Sequence, residues 1–251
     1  MRPPQHGSAL PVLVQSSNLS LEIWSSDGCR PKNIATIETA FVLMPTGTEN
    51  RKSPSLRVLL VVAHPLDNAF AKAAAARIRA TLERRGIEVD MIDLYADDFD
   101  PRLTGAERRG YFTTPYDSRA VAGYVARLML AEKLVFVFPQ WWFNVPAILK
   151  GFFDRVLVPG VAFDHPSGGG PLIPRLTHVN ALWVVSSTGA PWWVTRLYMG
   201  DPVRRQIARG IMPLVGRKAS FRMLTLYDMD RMTETHAGAF LDRLEQAFLR
   251  F

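Results

Sequence analysis

The chain has 251 residues and a formal net charge of +7, with 48% hydrophobic and 21% charged residues. This length is sufficient for one α/β domain with a full core. No run of about 18 apolar residues occurs, so we predict no membrane-spanning helix. The single cysteine, Cys29, cannot form an internal disulfide. The lone cysteine gives no case for secretion or a metal site, so we expect a cytoplasmic protein. Basic and acidic residues are interspersed, so we expect no nucleic-acid surface.

Residues 1–55 show neither strand nor helix periodicity, and proline, serine, threonine, asparagine and glycine recur throughout them. We predict a disordered N-terminal extension over 1–55 and a single domain over 56–251. A signal peptide is disfavoured because Pro3, Pro4 and Pro11 interrupt a very short apolar stretch. Translation from Met44 is an alternative interpretation of the extension.

The domain begins with Arg57–Ala63, an apolar run that predicts a central strand buried on both faces. A turn over 64–68 follows, and Ala69–Arg85 has the apolar spacing of a helix that Gly86 ends. Asn68 is either a cap of this helix or a ligand contact. The first N–H groups of the helix would face the end of the strand and could bind phosphate, although no glycine-rich nucleotide motif occurs.

The second strand is predicted over Glu88–Leu94. The next segment, Tyr95–Phe112, is polar and rich in turn-forming residues, so we expect it to cover the surface without regular structure. Apolar residues then recur at helical spacing between Ala120 and Met129. This alternation of strand and helix indicates a parallel sheet with connecting helices.

Lys133–Phe138 is a continuous apolar run that predicts a third strand, and Pro139 ends it because proline lacks a backbone N–H. The next four residues form a loop with three aromatic rings: Gln140, Trp141, Trp142 and Phe143. A helix then begins near Pro146. Loops at the carboxyl ends of parallel strands bind ligands, so the rings predict a planar ligand. Packing in a local core or a subunit interface is the alternative.

Pro159–Leu176 is rich in glycine and proline, which predicts a mobile loop and a candidate lid. A fourth strand is predicted over Val179–Val185. The residues from Ser186 to Pro191 are small and would let a ligand approach the backbone closely. They form the second candidate binding loop.

The last predicted elements are a helix over Val203–Met212, a fifth strand over Ser220–Leu226 and a helix over Thr233–Arg250. Strands and helices therefore alternate through the whole domain. This pattern favours a doubly wound parallel sheet with helices on both faces.

Three motifs carry a resemblance to a known family: Ala63–His64, Asp93–Leu94–Tyr95 with Phe99–Asp100–Pro101, and Phe138–Gly151 with Asp154–Arg155–Val156. On these residues, the chain over 57–251 resembles the NAD(P)H:quinone oxidoreductase family of the flavodoxin-like fold, typified by DT-diaphorase and the bacterial drug-activity modulators. The resemblance implies an α/β fold with five parallel strands in the order 2-1-3-4-5 and helices on both faces.

The resemblance also implies a bound flavin, FAD with FMN as the alternative, and NAD(P)H as co-substrate. The cofactor-binding residues that it carries over are His64, Asn68, Ala69, Phe70, Pro139, Gln140, Trp141, Trp142, Phe143, Ser187, Thr188, Gly189 and Ala190. The family usually has a hydroxyl residue and an asparagine beside Phe70, where this chain has Ala69 and Ala71. Side-chain contacts to a flavin phosphate are therefore expected to be fewer.

The reaction implied by the resemblance is hydride transfer from NAD(P)H through the flavin to a quinone or similar acceptor. The candidate catalytic residues are Gly189, Trp193 and Tyr198. Trp193 and Met199 stand where the family has a tyrosine and a histidine that hydrogen-bond near the flavin. The rival hypothesis is a non-catalytic flavin-binding regulatory subunit of a membrane transporter. The resemblance further implies a homodimer.

Overall fold

The structure, a computed structural model, describes residues 56–113, 115–166 and 168–251. The extension predicted over 1–55 lies outside the described residues. No helix of the described chain is both long enough and apolar enough to cross a bilayer.

The centre of the domain is a parallel sheet. The strands of the described chain are β1 (Arg57–Val62), β2 (Glu88–Asp93), β3 (Lys133–Pro139), β4 (Phe163–Asp164), β5 (Ile173–Pro174), β6 (Ala181–Ser187) and β7 (Ser220–Leu226). Five of them form the sheet, in the order β2-β1-β3-β6-β7. All pairings within it are parallel, so the predicted order 2-1-3-4-5 is confirmed.

Helices cover both faces of the sheet, as predicted. They are α1 (Phe70–Arg84), α2 (Gly105–Arg109), α3 (Ala122–Leu130), α4 (Ala147–Val156), α5 (Pro202–Gln206) and α6 (Glu234–Phe248). α1 and α6 bury Ile78 and Phe248 against one face. α3, α4 and α5 bury Leu128, Phe152 and Val203 against the other. α5 continues into a π-helical turn at Ile207–Ile211.

β6 begins at Ala181 and not at Val179, because the Val179 N–H donates to the Leu176 carbonyl within a turn (3.0 Å). The strand extends to Ser187, so Ser186 and Ser187 are buried strand residues and not loop residues as predicted. The second binding loop is therefore shorter than expected and begins at Thr188.

The start of α1 also differs from the prediction. Ala69 is the N-cap residue, and no side chain caps the first turn. The prediction that Asn68 caps this helix is therefore wrong. Asn68 lies one residue before the N-cap and is exposed. At α6, by contrast, the Thr233 hydroxyl accepts a hydrogen bond from the His236 N–H (3.3 Å).

The segment between β2 and α3 is not the irregular stretch that its composition predicts, because it contains α2. Thr104 and Glu107 cap this helix reciprocally: the Thr104 hydroxyl accepts from the Glu107 N–H (3.1 Å), and the Glu107 carboxylate accepts from the Thr104 N–H (2.7 Å). Arg155 of α4 donates twice to Glu107 (2.9 and 2.7 Å) and also to the Asp100 carbonyl. A buried ion pair thus fixes the segment to α4.

Pro101 and Gly151 form a second contact between this segment and α4. A Cβ atom built on Gly151 would lie 2.2 Å from the Pro101 carbonyl oxygen, well inside van der Waals contact. Only glycine therefore permits α4 to approach the segment at this distance.

The glycine- and proline-rich segment between α4 and β6 is not wholly irregular either. β4 and β5 pair as a short antiparallel ribbon, with Phe163 opposite Pro174. Val161, Ala162 and Phe163 are buried against the core, and Leu176 is fully buried. Both ends of the expected lid are therefore held by apolar packing.

Replacing Glu107 with glutamine should lower the free energy of unfolding by about 3 kcal/mol, because it leaves the Arg155 guanidinium buried without its charge partner. The two side chains are only 8% (Arg155) and 11% (Glu107) exposed. Asp117→Asn is the matched control, because it breaks an ion pair of the same 2.7 Å length at the surface, and it should change stability far less. Urea unfolding at neutral pH measures both; equal losses would contradict the prediction.

The same ion pair should make stability depend on pH. Burial raises the pKa of Glu107, but the hydrogen bonds from Thr104 and Arg155 together lower it by more. The pKa therefore lies below its ordinary value of 4.5. A carboxylate with a depressed pKa stabilises the fold above that ordinary value, and the contribution is lost as the pH falls through the folded-state pKa. The stabilities of the parent chain and Glu107→Gln should therefore converge in acid.

Candidate functional site

The candidate site lies at the carboxyl edge of the sheet, where β1, β3 and β6 end side by side. Pro139, the last residue of β3, pairs with Ser187, the last residue of β6. The Gln140 N–H continues the ladder by donating to the Ser187 carbonyl (2.7 Å). β1 joins the same edge through a hydrogen bond from the Ala63 N–H to the Val137 carbonyl (3.0 Å). The three predicted loops therefore meet.

A cleft of about 240 Å³ opens between these loops. Its lining residues are His64, Phe70, Ala71, Pro139, Gln140, Trp141, Ser187, Thr188, Gly189, Met229 and Asp230. The structure thus brings together eight of the residues predicted from the sequence, namely His64, Phe70, Pro139, Gln140, Trp141, Ser187, Thr188 and Gly189. The other predicted residues, which do not line this cleft, are Asn68, Ala69, Trp142, Phe143, Ala190, Trp193 and Tyr198.

The aromatic loop forms a tight turn with unusual backbone angles. Trp142 and Phe143 have φ values of 51° and 55°, in the left-handed region that bulky residues rarely adopt. The Asn144 N–H donates to the Trp141 carbonyl across the turn (3.0 Å). Each such residue costs on the order of 1–3 kcal/mol unless the surroundings hold it in place. Trp142 is nevertheless 96% exposed, so packing against the described residues does not offset its strain.

Gln140 anchors this turn to β6. Its side chain is buried, and its Nε2 donates to the Ser186 hydroxyl (2.9 Å), which in turn lies 3.1 Å from the Thr225 hydroxyl. Within the part of the chain that the structure describes, the Gln140 Oε1 atom is buried without a hydrogen-bond partner. This polar chain links the ends of β3, β6 and β7 at the cleft, where an unsatisfied buried carbonyl is costly.

His64 and the first turn of α1 form the opposite end of the cleft. The His64 Nδ1 accepts a hydrogen bond from the Leu66 N–H (3.0 Å), and its ring lies 5.8 Å from that of Trp141. Burial lowers the pKa of His64, and the charge of Lys72 lowers it further, which favours the neutral imidazole. Lys72 itself pairs with Asp93 at the end of β2.

The first turn of α1 can receive an anion. It has neither a side-chain cap nor an acidic residue, and α1 is 15 residues long. Its N–H groups and the helix dipole therefore favour a phosphate at this end of the cleft.

Gly189 lies at the end of the cleft nearest β7, against a residue that the sequence interpretation missed. A Cβ atom built on Gly189 would lie 2.6 Å from Oδ2 of Asp230. Asp230 belongs to a 3₁₀ turn, Met229–Arg231, which a hydrogen bond from the Met229 N–H to the Thr188 carbonyl (3.0 Å) holds against the loop. The predicted end of the fifth strand at Leu226 could have pointed to this turn, because all parallel strands end at the same edge.

Trp193 and Tyr198, the remaining candidate catalytic residues, do not line the cleft. Val194–Tyr198 is a π-helical turn, and Tyr198 is 80% exposed. Their assignment as catalytic residues stays a prediction. Among the described residues, no group of three or more His, Cys, Asp or Glu side chains is placed to hold a metal ion.

In the sheet, β2 lies on one side of β1 and β3 on the other, so the strand order reverses direction at β1. The cleft lies at this topological switch point, and the fold is that of a doubly wound α/β protein. A family model described as a flavodoxin-like fold matches residues 56–247. The chain belongs to this flavodoxin-like family, which confirms the resemblance found in its motifs.

Curated relatives of the chain are named as oxidoreductases. Human ribosyldihydronicotinamide dehydrogenase (quinone) is 35% identical over 126 residues, 44% of this chain and 54% of that protein. Rat NAD(P)H dehydrogenase (quinone) 1 is 36% identical over 125 residues, 43% of this chain and 46% of that protein. An NAD(P)H oxidoreductase of Haemophilus influenzae is 34% identical over 113 residues, 44% of this chain and 54% of that protein. The chain thus spans about half the length of the curated relatives it matches.

Two known structures show the same fold. An NAD(P)H:quinone oxidoreductase from Methanothermobacter marburgensis aligns with a TM-score of 0.67 at 23% identity, covering 78% of this chain and 96% of that one. An FMN-dependent NADH-azoreductase from Bacillus anthracis, in complex with FMN, aligns with a TM-score of 0.63 at 15% identity, covering 78% and 98%. At these identities the likeness concerns the fold.

Replacing Trp142 with glycine should raise the free energy of unfolding by about 1 kcal/mol, because glycine adopts the left-handed region without strain and the exposed indole loses no packing. The matched control is Trp192→Gly, which removes an exposed tryptophan that is not in the left-handed region, and this variant should be destabilised. Chemical denaturation of both variants measures the difference. A less stable Trp142→Gly would show that the indole has a packing role.

Proposed function

We propose that the chain is a flavin-dependent NAD(P)H oxidoreductase that passes a hydride to a quinone or similar acceptor. The observation that carries the proposal is the strained aromatic turn at Trp142 and Phe143, which lies beside the cleft that Gly189 lines. Strained backbone persists where a ligand needs its geometry. The names of the curated relatives support the same reaction class.

The residues of the cleft fit the ring and the phosphate of a flavin. Trp141 and the turn after it give an apolar wall for a flat ring, and Gly189 lets a ring edge approach the backbone closely. The first turn of α1 gives N–H groups for a phosphate. When bound, the flavin supplies two-electron chemistry between NAD(P)H and the acceptor. The chain's own part is to hold and orient the ring.

Asp230 adds a charge to the flavin end of the cleft. Its carboxylate has no ion-pair or hydrogen-bond partner among the described residues, and it stands against Gly189. A carboxylate only accepts hydrogen bonds, so Asp230 would accept one from an N–H or O–H group of the ligand. It would repel a phosphate there, which supports a phosphate position at α1 instead.

We favour FMN over the FAD expected from the resemblance. The cleft of about 240 Å³ is smaller than typical cofactor pockets of roughly 300–1,000 Å³. The similarly folded azoreductase is described as FMN-dependent. Release of the cofactor by heat and its identification by mass decide between the two.

Three further expectations belong to the same proposal. The regulatory-subunit alternative is less favoured, because the relatives described above are named as oxidoreductases. The resemblance to the family implies a homodimer, and the lone cysteine favours a cytoplasmic location. Light scattering coupled to gel filtration measures the mass and tests the dimer.

Gly189→Ala should weaken flavin binding at least about tenfold, because the added methyl group displaces Asp230 or intrudes on the ring edge. Gly123→Ala is the matched control, since a Cβ atom there meets nothing within 4 Å. Titration of the cofactor-free protein with FMN, followed by flavin fluorescence, gives both affinities, and circular dichroism confirms folding. Unchanged affinity in Gly189→Ala would place the ring elsewhere.

The candidate catalytic residues predict unequal half-reactions. Trp193 and Met199 lack the acidic protons of the tyrosine and histidine of the family, whereas Tyr198 retains a hydroxyl. Hydride transfer needs mainly proximity and orientation, so reduction by NAD(P)H should be fast in the parent chain and in Tyr198→Phe. Reoxidation by benzoquinone should be slow in the parent chain unless Tyr198 supplies the proton, in which case Tyr198→Phe should slow reoxidation about 10²-fold.

Stopped-flow measurement of each half-reaction tests this expectation, and the reductive step of each protein serves as its internal control. Fast reoxidation that persists in Tyr198→Phe would show that no side-chain donor from this turn takes part.

A further inference from the structure

Two residues in the lining of the cleft carry hydrogen-bond acceptors that have no donor among the described residues. One acceptor is the buried Gln140 Oε1 atom, while the Nε2 atom of the same amide donates to the Ser186 hydroxyl (2.9 Å). The other is the carboxylate of Asp230, which stands against Gly189. An acceptor without a donor is costly where water is excluded. We therefore expect the ligand of this cleft to bring N–H or O–H groups.

The lining provides no positive charge to balance these acceptors. Among the described residues that line the cleft, none is a lysine or an arginine. His64 is the one titratable residue of the lining besides Asp230. Burial and the charge of Lys72 lower the pKa of His64, which favours the neutral imidazole. The described lining therefore carries a net negative charge, which comes from Asp230.

The charged residues of the surrounding elements do not change this balance. On α1, Lys72 is paired with Asp93 and lies 3.7 Å from Asp67. In the turn after β7, Asp228 and Arg231 stand on either side of the lining carboxylate in sequence, but neither lines the cleft. The loops over 139–145 and 187–195 contain no charged residue.

The redox states of a flavin ring differ in the N–H groups that they offer. The oxidised ring has one N–H group. Reduction adds two more, one from a hydride of NAD(P)H, whose nicotinamide C–H bond breaks to leave NAD(P)⁺, and one from a proton of the solvent. The fully protonated reduced ring is neutral, and loss of one proton makes it an anion. Hydrogen bonds to the ring nitrogens and charges beside them are the means by which a protein favours one of these states.

We infer that the cleft holds a reduced flavin in its neutral, fully protonated form. The two unpartnered acceptors match the N–H groups that reduction adds. The Asp230 carboxylate disfavours the anion, because a like charge nearby opposes ionisation. Gln140 and Asp230 are thereby assigned to setting the protonation state of the bound ring. This inference rests on the flavin binding that the proposed function includes.

Ionisation of the bound reduced ring tests the inference directly. FMN on the full chain is reduced with dithionite, so the result does not depend on activity with NAD(P)H, and its absorbance is followed against pH beside free reduced FMN. The bound ring should lose its proton at least about one pH unit above the free one. In that range its potential should fall by about 59 mV per pH unit, because two protons accompany two electrons, whereas that of free FMN falls by about 30 mV.

Asp230→Asn should return the ionisation by about one pH unit toward that of free FMN, because the side chain keeps its shape and loses its charge. Asp228→Asn is the matched control. It removes the same charge from a residue that does not line the cleft, and asparagine tolerates the left-handed backbone at this position (φ 61°). The control should shift the ionisation by less than half as much. Melting curves establish that each variant is folded.

Gln140→Leu separates the hydrogen bond from the charge, because it removes an acceptor and leaves Asp230 in place. It should weaken binding of the reduced ring about fivefold relative to the oxidised ring. This ratio corresponds to a fall of about 20 mV in the potential of the bound flavin. A structural role of Gln140 would instead weaken the binding of both forms equally and leave the potential unchanged, which would contradict its assignment.

Two further results would overturn the inference. One is a bound reduced ring that ionises at the same pH as free reduced FMN. The other is an equal shift in Asp230→Asn and Asp228→Asn, which would trace the effect to the field of the whole turn. Neutral reduced FMN on a chain that NAD(P)H does not reduce would support the inference and contradict the proposed function. A chain that binds no flavin would contradict both.

Discussion

The pairing of β3 with β6 is the constraint on which the rest of the site depends. Because both strands are parallel and in register to their last residues, Pro139 and Ser187, they deliver their loops to one edge of the sheet. The Gln140 N–H extends the ladder by one bond, and the Gln140 side chain joins Ser186 to Thr225. The aromatic turn therefore starts from a buried, hydrogen-bonded base, which is what allows Trp142 and Phe143 to be held in a strained conformation.

Much of the sheet could be predicted from the sequence, because its central strands are buried on both faces. Arg57–Val62 and Lys133–Pro139 are nearly continuous runs of valine, leucine and phenylalanine, and such runs have few alternatives in a soluble α/β protein. The helices between them carry apolar stripes at regular spacing. The position of the site at the carboxyl edge follows from topology, whereas the assignment of single residues such as His64 and Gln140 to a cofactor comes from the resemblance to the family.

Features set by tertiary contacts could not be predicted in the same way. α2 begins with a local signal, the Thr104–Glu107 capping box, that the sequence interpretation missed. Its attachment to Arg155 of α4 could not be predicted, because local propensity contains no sign of this distant partner. Backbone strain at Trp142 and Phe143 opposes the preference of both residues, so propensity predicts the reverse of what is found. Asp230 enters the cleft through a turn after the last strand, where no motif draws attention to it.

The close approach of Pro101 to Gly151 has a consequence for how the fold can diversify. No side chain on residue 151 fits against Pro101. A larger residue at position 151 therefore requires a compensating displacement of the segment that contains Pro101. Residues near Pro101 and those of α4 are consequently expected to change together among homologous proteins, with Glu107 and Arg155 as a second linked pair. An exchange of surface segments between members of the fold would have to carry residues 99–110 and α4 as one module, since neither half has a complementary surface in a foreign chain.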